Sequence, residues 1–182
     1  MRKLKFHEQK LLKKADFFDW KNTASLKKAS ITQKYRLSSR ADYGHYEKVV
    51  GYITKLVHLV KALPEDDPFR KQVLLQLVDK LYSTGIIPVK SVEAAEKITV
   101  SAFLRRRLLI MLKSLKFVET LRESEIYIQH GHVVVGQEVV KDPDFLVTRE
   151  TEDYITWTQT SKIRQRIDEF KGQKDDYDLL NN

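Results

Sequence analysis

The hydrophobic pattern of the chain changes its period near Gly131, and this change limits the folds that the chain can adopt. Before that residue, apolar side chains recur at helical spacing in several separate segments. After it come two short runs rich in valine, His132–Val135 and Glu138–Val140, and the Gly136-Gln137 pair between them suits a tight hairpin. Helical segments followed by short strands predict an α+β fold with a helical N-terminal region.

Capping residues and the apolar period together place the individual elements. The predicted helices cover about residues 3–20, 42–62, 68–84, 101–116, 121–130 and 161–170, with a polar linker at 21–40 and a connection at 86–97. Asp67 before Pro68 marks the start of the third helix, and Thr120 with Glu123 matches a capping box at the fifth. Two more short strands are predicted at Phe145–Val147 and Tyr154–Trp157, on either side of residues 149–152.

Composition excludes several classes of protein. The 182-residue chain contains no cysteine, which excludes a disulfide scaffold, thiol catalysis and a cysteine-ligated metal site. No apolar run approaches the roughly 18 residues that span a bilayer, and residues 1–8 lack the apolar stretch of a secretory signal, so we expect a soluble intracellular protein. The motifs of nucleotide-binding loops, serine hydrolases and zinc proteases do not occur, and we expect neither an enzyme nor a cofactor.

The net charge of +8 is concentrated at the N-terminus. Residues 1–36 hold eleven Lys and Arg but three Asp and Glu, whereas the rest of the chain holds 22 of each sign. A basic arm on a neutral body favours binding to phosphates or to an acidic protein, and a solvated tail is the alternative. The arm residues expected to contact RNA or a partner are Arg2, Lys3, Lys5, Lys10, Lys13 and Lys14.

A second basic element is predicted within residues 101–122. If residues 101–116 form one helix, a rotation of about 100° per residue puts basic residues on one side and five apolar residues on the opposite side. The basic side comprises Arg105, Arg106, Lys113 and Lys116. Residues 101–122 hold six Lys or Arg and one acid, Glu119, whereas a solvated face usually mixes the two signs. We therefore expect this face to contact RNA or an acidic partner.

His130 and His132 form an H-x-H pair that could be considered for metal binding. A zinc site would need further ligands, and the sequence offers neither a cysteine nor a nearby third histidine. We therefore expect no metal, and either a structural role or stacking on RNA bases for the two rings. Trp20 and Trp157 are expected to pack in a core or an interface.

The blocks around the basic helix resemble one known family. They are Phe103–Leu108 (FLRRRL), Leu115–Val118 (LKFV), Ile128–Gly136 (IQHGHVVVG) and Val139–Pro143 (VVKDP). Over about residues 101–157 they are similar to the alpha-L RNA-binding domain of the small-subunit ribosomal protein S-four type. The resemblance implies two helices packed on a small, twisted, mostly antiparallel sheet, with RNA lying across the helices and the first hairpin.

The basic helix and the resemblance together give a candidate RNA site and a division of the chain. The residues expected to contact RNA are Arg105, Arg106, Arg107, Lys113, Lys116, Arg122, His130, His132, Lys141 and Arg149. We expect four parts: a basic arm and linker (1–40), a helical region (41–100), the alpha-L domain (101–157), and a C-terminal helix with an acidic tail (158–182). Leu121, Glu125 and Val134 stand where many alpha-L domains carry basic residues, so the first helix and the arm are expected to dominate RNA contact.

Further blocks extend the resemblance over nearly the whole chain. Arg2–Lys14, Asp67–Arg70, Asp142–Arg149 and Tyr154–Trp157 are similar to the eukaryotic branch of the family found in the U-three small nucleolar ribonucleoprotein, within the small-subunit processome. This resemblance implies a nucleolar, non-enzymatic ribosome-biogenesis factor that helps U-three small nucleolar RNA pair with pre-ribosomal RNA. The implied protein partners are a phosphoprotein scaffold and a Brix-domain protein, with no membrane and no small-molecule substrate.

Two other functions are compatible with the same residues. A structural protein of the small ribosomal subunit would share the fold but stay in the mature ribosome. An adaptor would bind an acidic protein segment through its basic arm and helices, with incidental RNA contact. An RNA-modifying enzyme with an accessory alpha-L domain is less favoured, because residues 1–100 are predicted to be only helices and a linker.

Overall fold

The computed structural model describes residues 2–14 and 22–172, which belong to two compact units, residues 1–44 and 45–182. The first unit holds helices α1 (Phe6–Lys14) and α2 (Asn22–Lys34). Helix α1 confirms the first part of the helix predicted over 3–20, whose remainder lies outside the described residues. The predicted linker at 21–40 is wrong, because most of it is α2. This helix has a polar, Ser/Thr/Lys-rich sequence without apolar periodicity, and that is why the pattern did not reveal it.

Eight more helices are described. The first of them begins in the last residues of the first unit, and the others lie in the second unit. The eight are α3 (Arg40–Lys61), α4 (Pro68–Ser83), α5 (Val92–Glu96), α6 (Val100–Arg105), α7 (Leu108–Ser114), α8 (Leu121–Gln129), α9 (Arg149–Glu152) and α10 (Lys162–Phe170). The predicted start signals of α4 and α8 are confirmed. The Asp67 carboxylate accepts a hydrogen bond from the Phe69 N–H at 2.9 Å, and Thr120 and Glu123 form both bonds of a capping box.

Three short strands form one antiparallel sheet. They are β1 (Val133–Val135), β2 (Glu138–Val139) and β3 (Ile155–Trp157), in the order β2-β1-β3. Val135 pairs with Glu138, so the hairpin loop is the predicted Gly136-Gln137, and Gly136 has the positive φ of 68° that a glycine adopts without strain. The α+β fold, with a helical N-terminal region before a small antiparallel sheet, is therefore confirmed.

Two apolar cores organise the second unit. The helical core comprises Val57, Val78, Leu81, Ile87, Ala95, Ile98 and Phe103. The sheet core comprises Leu108, Leu109, Met111, Leu112, Val118, Ile128, Val133, Val135, Val147 and Ile155. Helices α7 and α8 pack together over the sheet, and Trp157 packs against the edge of this core, which confirms its predicted packing role. Trp20 lies outside the described residues.

Two local predictions in this unit were wrong. The predicted connection at 86–97 contains α5. Residues 149–152, for which no element was predicted, form the short helix α9, capped by Thr148. The strand predicted at Phe145–Val147 forms only an isolated antiparallel bridge, between Leu146 and Arg107. Its partner thus lies within the segment that was predicted to be a continuous helix.

The helix predicted over 101–116 is broken between α6 and α7. Arg107 is the N-cap of α7 and has an extended conformation, with φ −67° and ψ 139°. At the break the backbone pairs with the segment around Leu146: Leu108 N–H donates to the Phe145 carbonyl at 2.8 Å, and Val147 N–H donates to the Arg106 carbonyl at 2.8 Å. Helical periodicity on both sides is therefore interrupted by hydrogen bonds to a distant part of the chain.

Two arginine side chains hold this break together from inside. The Arg107 side chain is 1% exposed and forms an ion pair with Asp144. The Arg106 side chain is 12% exposed; its Nε donates to the Val147 carbonyl at 2.9 Å and its Nη1 to Glu152 at 2.8 Å. Because buried charges are costly unless they are paired, these contacts make both arginines part of the structure that joins α6 to α7.

We predict that Arg107→Leu lowers the free energy of unfolding by about 2 kcal/mol, because it removes the charge-assisted hydrogen bond that joins Arg107 to the half-exposed Asp144. Arg105 is exposed at the end of α6 and is the matched control: Arg105→Leu should change the stability by less than about 0.5 kcal/mol. Urea unfolding followed by circular dichroism measures both values. Equal losses for the two variants would show that the pair does not stabilise the break.

Candidate nucleic-acid interface

The structure divides the ten predicted RNA-contact residues into an exposed set and a buried or half-buried set. The exposed set is Arg105, Lys113, Lys116, Arg122, His130 and Lys141. The other set is Arg106, Arg107, His132 and Arg149. The predicted row of arginines on one helix face is therefore wrong, since the helix is broken at Arg106 and Arg107 and both side chains turn inward.

Arg149 has a structural position as well. Its guanidinium lies 4.0 Å from the centroid of the Tyr82 ring, a cation–π contact. Its Nη2 also donates a hydrogen bond of 2.9 Å to the Ile87 carbonyl. Arg149 thus ties α9 to the end of α4 and the segment after it, and it is not available as an open phosphate contact in this arrangement.

Lys113 and Lys116 stand at the exposed end of α7, and an unusual turn fixes the second of them. Lys116 has a φ of 61°, in the left-handed region that favours glycine. The Lys116 N–H donates to the Lys113 carbonyl at 3.1 Å, and the Phe117 N–H donates to the Leu112 carbonyl at 2.9 Å. These two bonds define a Schellman motif, which fixes the backbone of Lys116 at the corner between α7 and α8.

A groove of about 740 Å³ lies beside these lysines. Its lining residues are Lys113, Lys116, Phe117, Val118, Glu119, Glu123, Tyr127, Trp157, Ile163 and Ile167. The Trp157 ring meets Phe117 and Tyr127 edge-on, with centroid distances of 5.6 Å and 5.7 Å. Sequence reasoning missed this groove because Trp157, on β3, comes at least 30 residues after Phe117 and Tyr127 in the chain.

At the other end of α8, the two histidines occupy different environments. The His130 ring is exposed and stacks on His132, with 6.1 Å between centroids and 20° between planes. His132 is half-buried, and its Nδ1 lies 3.1 Å from the Ser161 hydroxyl. Exposed Lys141 lies beside this pair, over Gly131. Among residues 2–14 and 22–172 no group of three potential metal ligands is close enough to hold an ion.

The arm residues are mostly accessible on and before α1. Lys3, Lys5, Lys10 and Lys14 are exposed, and Lys13 lies on α1. Arg2 is exposed too, but it donates a hydrogen bond of 2.6 Å to Glu8, and this bond, with a second from the Lys5 backbone N–H, lowers the pKa of the Glu8 carboxyl. The same carboxylate therefore caps the start of α1 and neutralises one arm cation.

Two protein-family models match consecutive parts of the chain. Residues 3–105 match the ribosomal protein S4/S9 N-terminal domain, and residues 106–153 match the S4 domain. Their boundary falls at the break between α6 and α7. Within the described residues, no helix is long and apolar enough to cross a membrane.

Relatives of nearly the same length match the whole chain. Over 181 residues, the chain is 42% identical to the U3 small nucleolar ribonucleoprotein protein IMP3 of Saccharomyces cerevisiae, covering 98% of this chain and 99% of the relative. Its identity to the protein of that name in Homo sapiens is also 42%, over 98% of both chains, and to that in Caenorhabditis elegans 36%, over 99% of both. The chain belongs to the IMP3 family.

Membership of the IMP3 family confirms the resemblance that the N-terminal and hairpin blocks carried. The names of these relatives describe a component of a ribonucleoprotein and no catalytic activity. The exposed set lies at the end of α6, on and just after α7, on and just after α8, and after β2, whereas Arg106, Arg107 and Arg149 face inward.

We predict that Lys116→Gly raises the free energy of unfolding by up to about 1 kcal/mol, because glycine relieves the left-handed backbone strain, and at the same time weakens RNA binding. Lys116→Ala is the matched control: it removes the same cation but keeps the strain, so it should weaken RNA binding without a gain in stability. Urea melts and fluorescence anisotropy with labelled RNA measure the two effects. A Gly variant that binds RNA as the parent does would remove Lys116 from the interface.

Proposed function

We propose that this protein is an RNA-binding ribosome-biogenesis factor of the U3 small nucleolar ribonucleoprotein, acting in the small-subunit processome. The observation that carries this proposal is the identity of about 42% over 98% of the chain to proteins that bear the U3 ribonucleoprotein name. The exposed cations around α8 and on the arm support it, because they give the protein two surfaces suited to phosphate.

Five members of the exposed set would bind RNA from both ends of α8, and the sixth, Arg105, stands at the end of α6. Lys113, Lys116 and Arg122 stand where α7 ends and α8 begins, and His130 and Lys141 stand where α8 ends. Nine residues of helix separate the two groups by about 13 Å. The sheet core beneath holds both ends rigidly, so the cations need little reordering when they meet a nucleic-acid backbone.

The mechanism would be RNA annealing without covalent chemistry. Two RNA strands repel each other through their phosphates, and bound cations lower that barrier. The arm would hold one backbone while the exposed set holds the other, which raises the local concentration of one strand near its partner. In this way the protein would help U3 small nucleolar RNA pair with pre-ribosomal RNA.

This role would place the protein in the nucleolus, together with U3 small nucleolar RNA, pre-ribosomal RNA and processome proteins. The protein partners implied by the family resemblance, a phosphoprotein scaffold and a Brix-domain protein, would bind surfaces that the RNA leaves open. We infer no catalytic step and no cofactor for this protein.

A second candidate is a structural protein of the small ribosomal subunit, and the match of residues 3–105 to the ribosomal protein S4/S9 N-terminal domain favours it. The two functions differ in whether the protein remains bound to the mature ribosomal subunit. An assembly factor sediments with precursor particles and is absent from mature 40S-type subunits, whereas a ribosomal protein remains. Sedimentation of cell extracts, with detection of the tagged protein, separates them.

We predict that RNA affinity falls steeply with salt and that Lys113→Gln with Arg122→Gln makes this dependence shallower. Each lost phosphate contact should reduce the slope of log K against log salt by about 0.7–0.9. Anisotropy titrations of a U3 RNA fragment at several salt concentrations give the slopes. Lys71→Gln with Lys80→Gln removes two exposed lysines from α4 and is the charge-matched control, which should keep the parental slope. An equal change in both variants would indicate a diffuse charge effect and no defined site.

We also predict that deletion of residues 1–14 slows annealing of U3 RNA to a pre-ribosomal RNA fragment more than it weakens binding of either RNA alone. The deletion removes α1 and six arm cations but leaves the exposed set. Fluorescence quenching follows duplex formation at protein concentrations that saturate both RNAs. Equal rates for the full and shortened chains would assign the arm to protein docking and would favour an adaptor.

A further inference from the structure

Helix α3 carries an apolar stripe that the fold leaves exposed. Tyr52 and Leu59 have relative exposures of 71% and 61%, and Val49 and Leu56, at 42% and 40%, complete the stripe. The spacing 49, 52, 56, 59 alternates three and four residues, as the a and d positions of a coiled-coil seam do. The stripe extends over about 15 Å of helix.

This stripe is additional to the face that α3 uses for folding. The helix already buries Val57 in the helical core, with Tyr46, Val50 and Ile53 packed against that core, and Val60 is buried as well. The apolar face of α3 is therefore wider than the part that the helical core covers, and such an uncovered apolar stripe is a typical contact surface for another helix. An exposed apolar stripe at regular spacing is the geometry by which an amphipathic helix is bound.

The charged residues beside the stripe indicate which kind of helix could bind to it. Lys48 and Lys55 are exposed along one edge, at positions equivalent to g of the heptad. Neither forms an ion pair within the part of the chain that the structure describes. The opposite edge of the stripe turns into the helical core through Ile53 and Val60, so the lysine edge is the one that a partner's flank would meet.

Repulsion between like charges disfavours two other possible occupants of the stripe, a second copy of the chain and helix α1. A second copy of the chain, paired antiparallel through the same stripe, would bring Lys48 and Lys55 against their own counterparts. The amphipathic helix α1 carries Lys10 and Lys14 and would also meet these lysines with positive charge. An acidic helix has the complementary sign.

We propose that the exposed stripe of α3 is a docking site for an amphipathic helix of a partner protein, with apolar residues at a and d positions and Glu or Asp along the flank that meets Lys48 and Lys55. This site is separate from the RNA surface of the proposed function, because all its residues lie on α3 and none belongs to the exposed set around α8.

The probe is a peptide of three heptads, about 21 residues, with Leu at a and d and Glu at e and g. A peptide with Lys in place of Glu and a scrambled acidic peptide are its controls. We expect the full-length protein to bind the acidic peptide at least about tenfold more tightly than either control, by fluorescence anisotropy, with protection from hydrogen exchange at residues 49–59.

Two pairs of variants locate the binding. Tyr52→Glu with Leu59→Glu should weaken the acidic peptide about tenfold or more, whereas Phe69→Glu with Leu75→Glu, an equally exposed pair on α4, should not. Lys48→Glu with Lys55→Glu should reverse the preference toward the basic peptide, whereas Lys71→Glu with Lys80→Glu should keep it. If circular dichroism shows that a Glu variant is unfolded, Tyr52→Ser with Leu59→Ser replaces it.

Several outcomes would overturn the proposal. They are equal binding of the acidic and scrambled peptides, protection away from α3, binding that appears only after deletion of residues 1–14, and a concentration-dependent dimer abolished by the Tyr52/Leu59 changes. The last two would assign the stripe to α1 or to a second copy. RNA affinity of the Tyr52/Leu59 variant should equal that of the parent, so failure of this proposal leaves the proposed function intact.

Discussion

The arrangement of the second unit depends on the ion pair between the buried Arg107 and the half-exposed Asp144. It lies where α6 gives way to α7, between the helical core and the sheet core. A cation that is 1% exposed must be paired, and Asp144 can pair with it only if the segment from Pro143 to Val147 lies alongside the break. The ion pair therefore fixes the chain that leads from the hairpin to β3, and with it the third strand of the sheet.

Arg106 and Arg149 also join distant segments of the chain, as Arg107 does. Arg106 reaches the Val147 carbonyl and Glu152, and Arg149 reaches the Ile87 carbonyl and the Tyr82 ring. Each arginine therefore uses its guanidinium to join segments that are distant in the sequence. In the proposed function, phosphate would therefore be bound by exposed side chains, among them Lys113, Lys116 and Arg122 at one end of α8 and His130 and Lys141 at the other.

What the sequence could predict was local. The capped starts of α4 and α8, the two-residue hairpin loop and the α+β order all depend on residues within a few positions of one another, and the structure confirms them. The break at Arg106 and Arg107 depends on Asp144, Val147 and Glu152, between 37 and 46 residues further along the chain. Local apolar periodicity contains no information about such partners, and the predicted continuous helix was wrong for that reason.

The same limit applies to the site. The composition of residues 101–122 correctly indicated an excess of cations, but not which of them are accessible, because burial is decided by the packing of α6, α7 and α9. The aromatic groove beside Lys113 and Lys116 also required the fold, since Phe117, Tyr127 and Trp157 meet only when β3 lies beside α8. Helix α2 was missed because its polar sequence lacks the apolar stripe on which such predictions rest.

We propose that the protein binds RNA through the exposed set and the arm, while Arg106, Arg107 and Arg149 stabilise the fold. The decisive experiment is ultraviolet crosslinking of the full-length protein to a U3 RNA fragment, followed by mass spectrometry of the attached peptides. We expect crosslinks within residues 2–14, at Arg105, at Lys113–Arg122 and at His130–Lys141. Crosslinks concentrated on Arg106, Arg107 and Arg149, or confined to α3 and α4, would contradict this proposal.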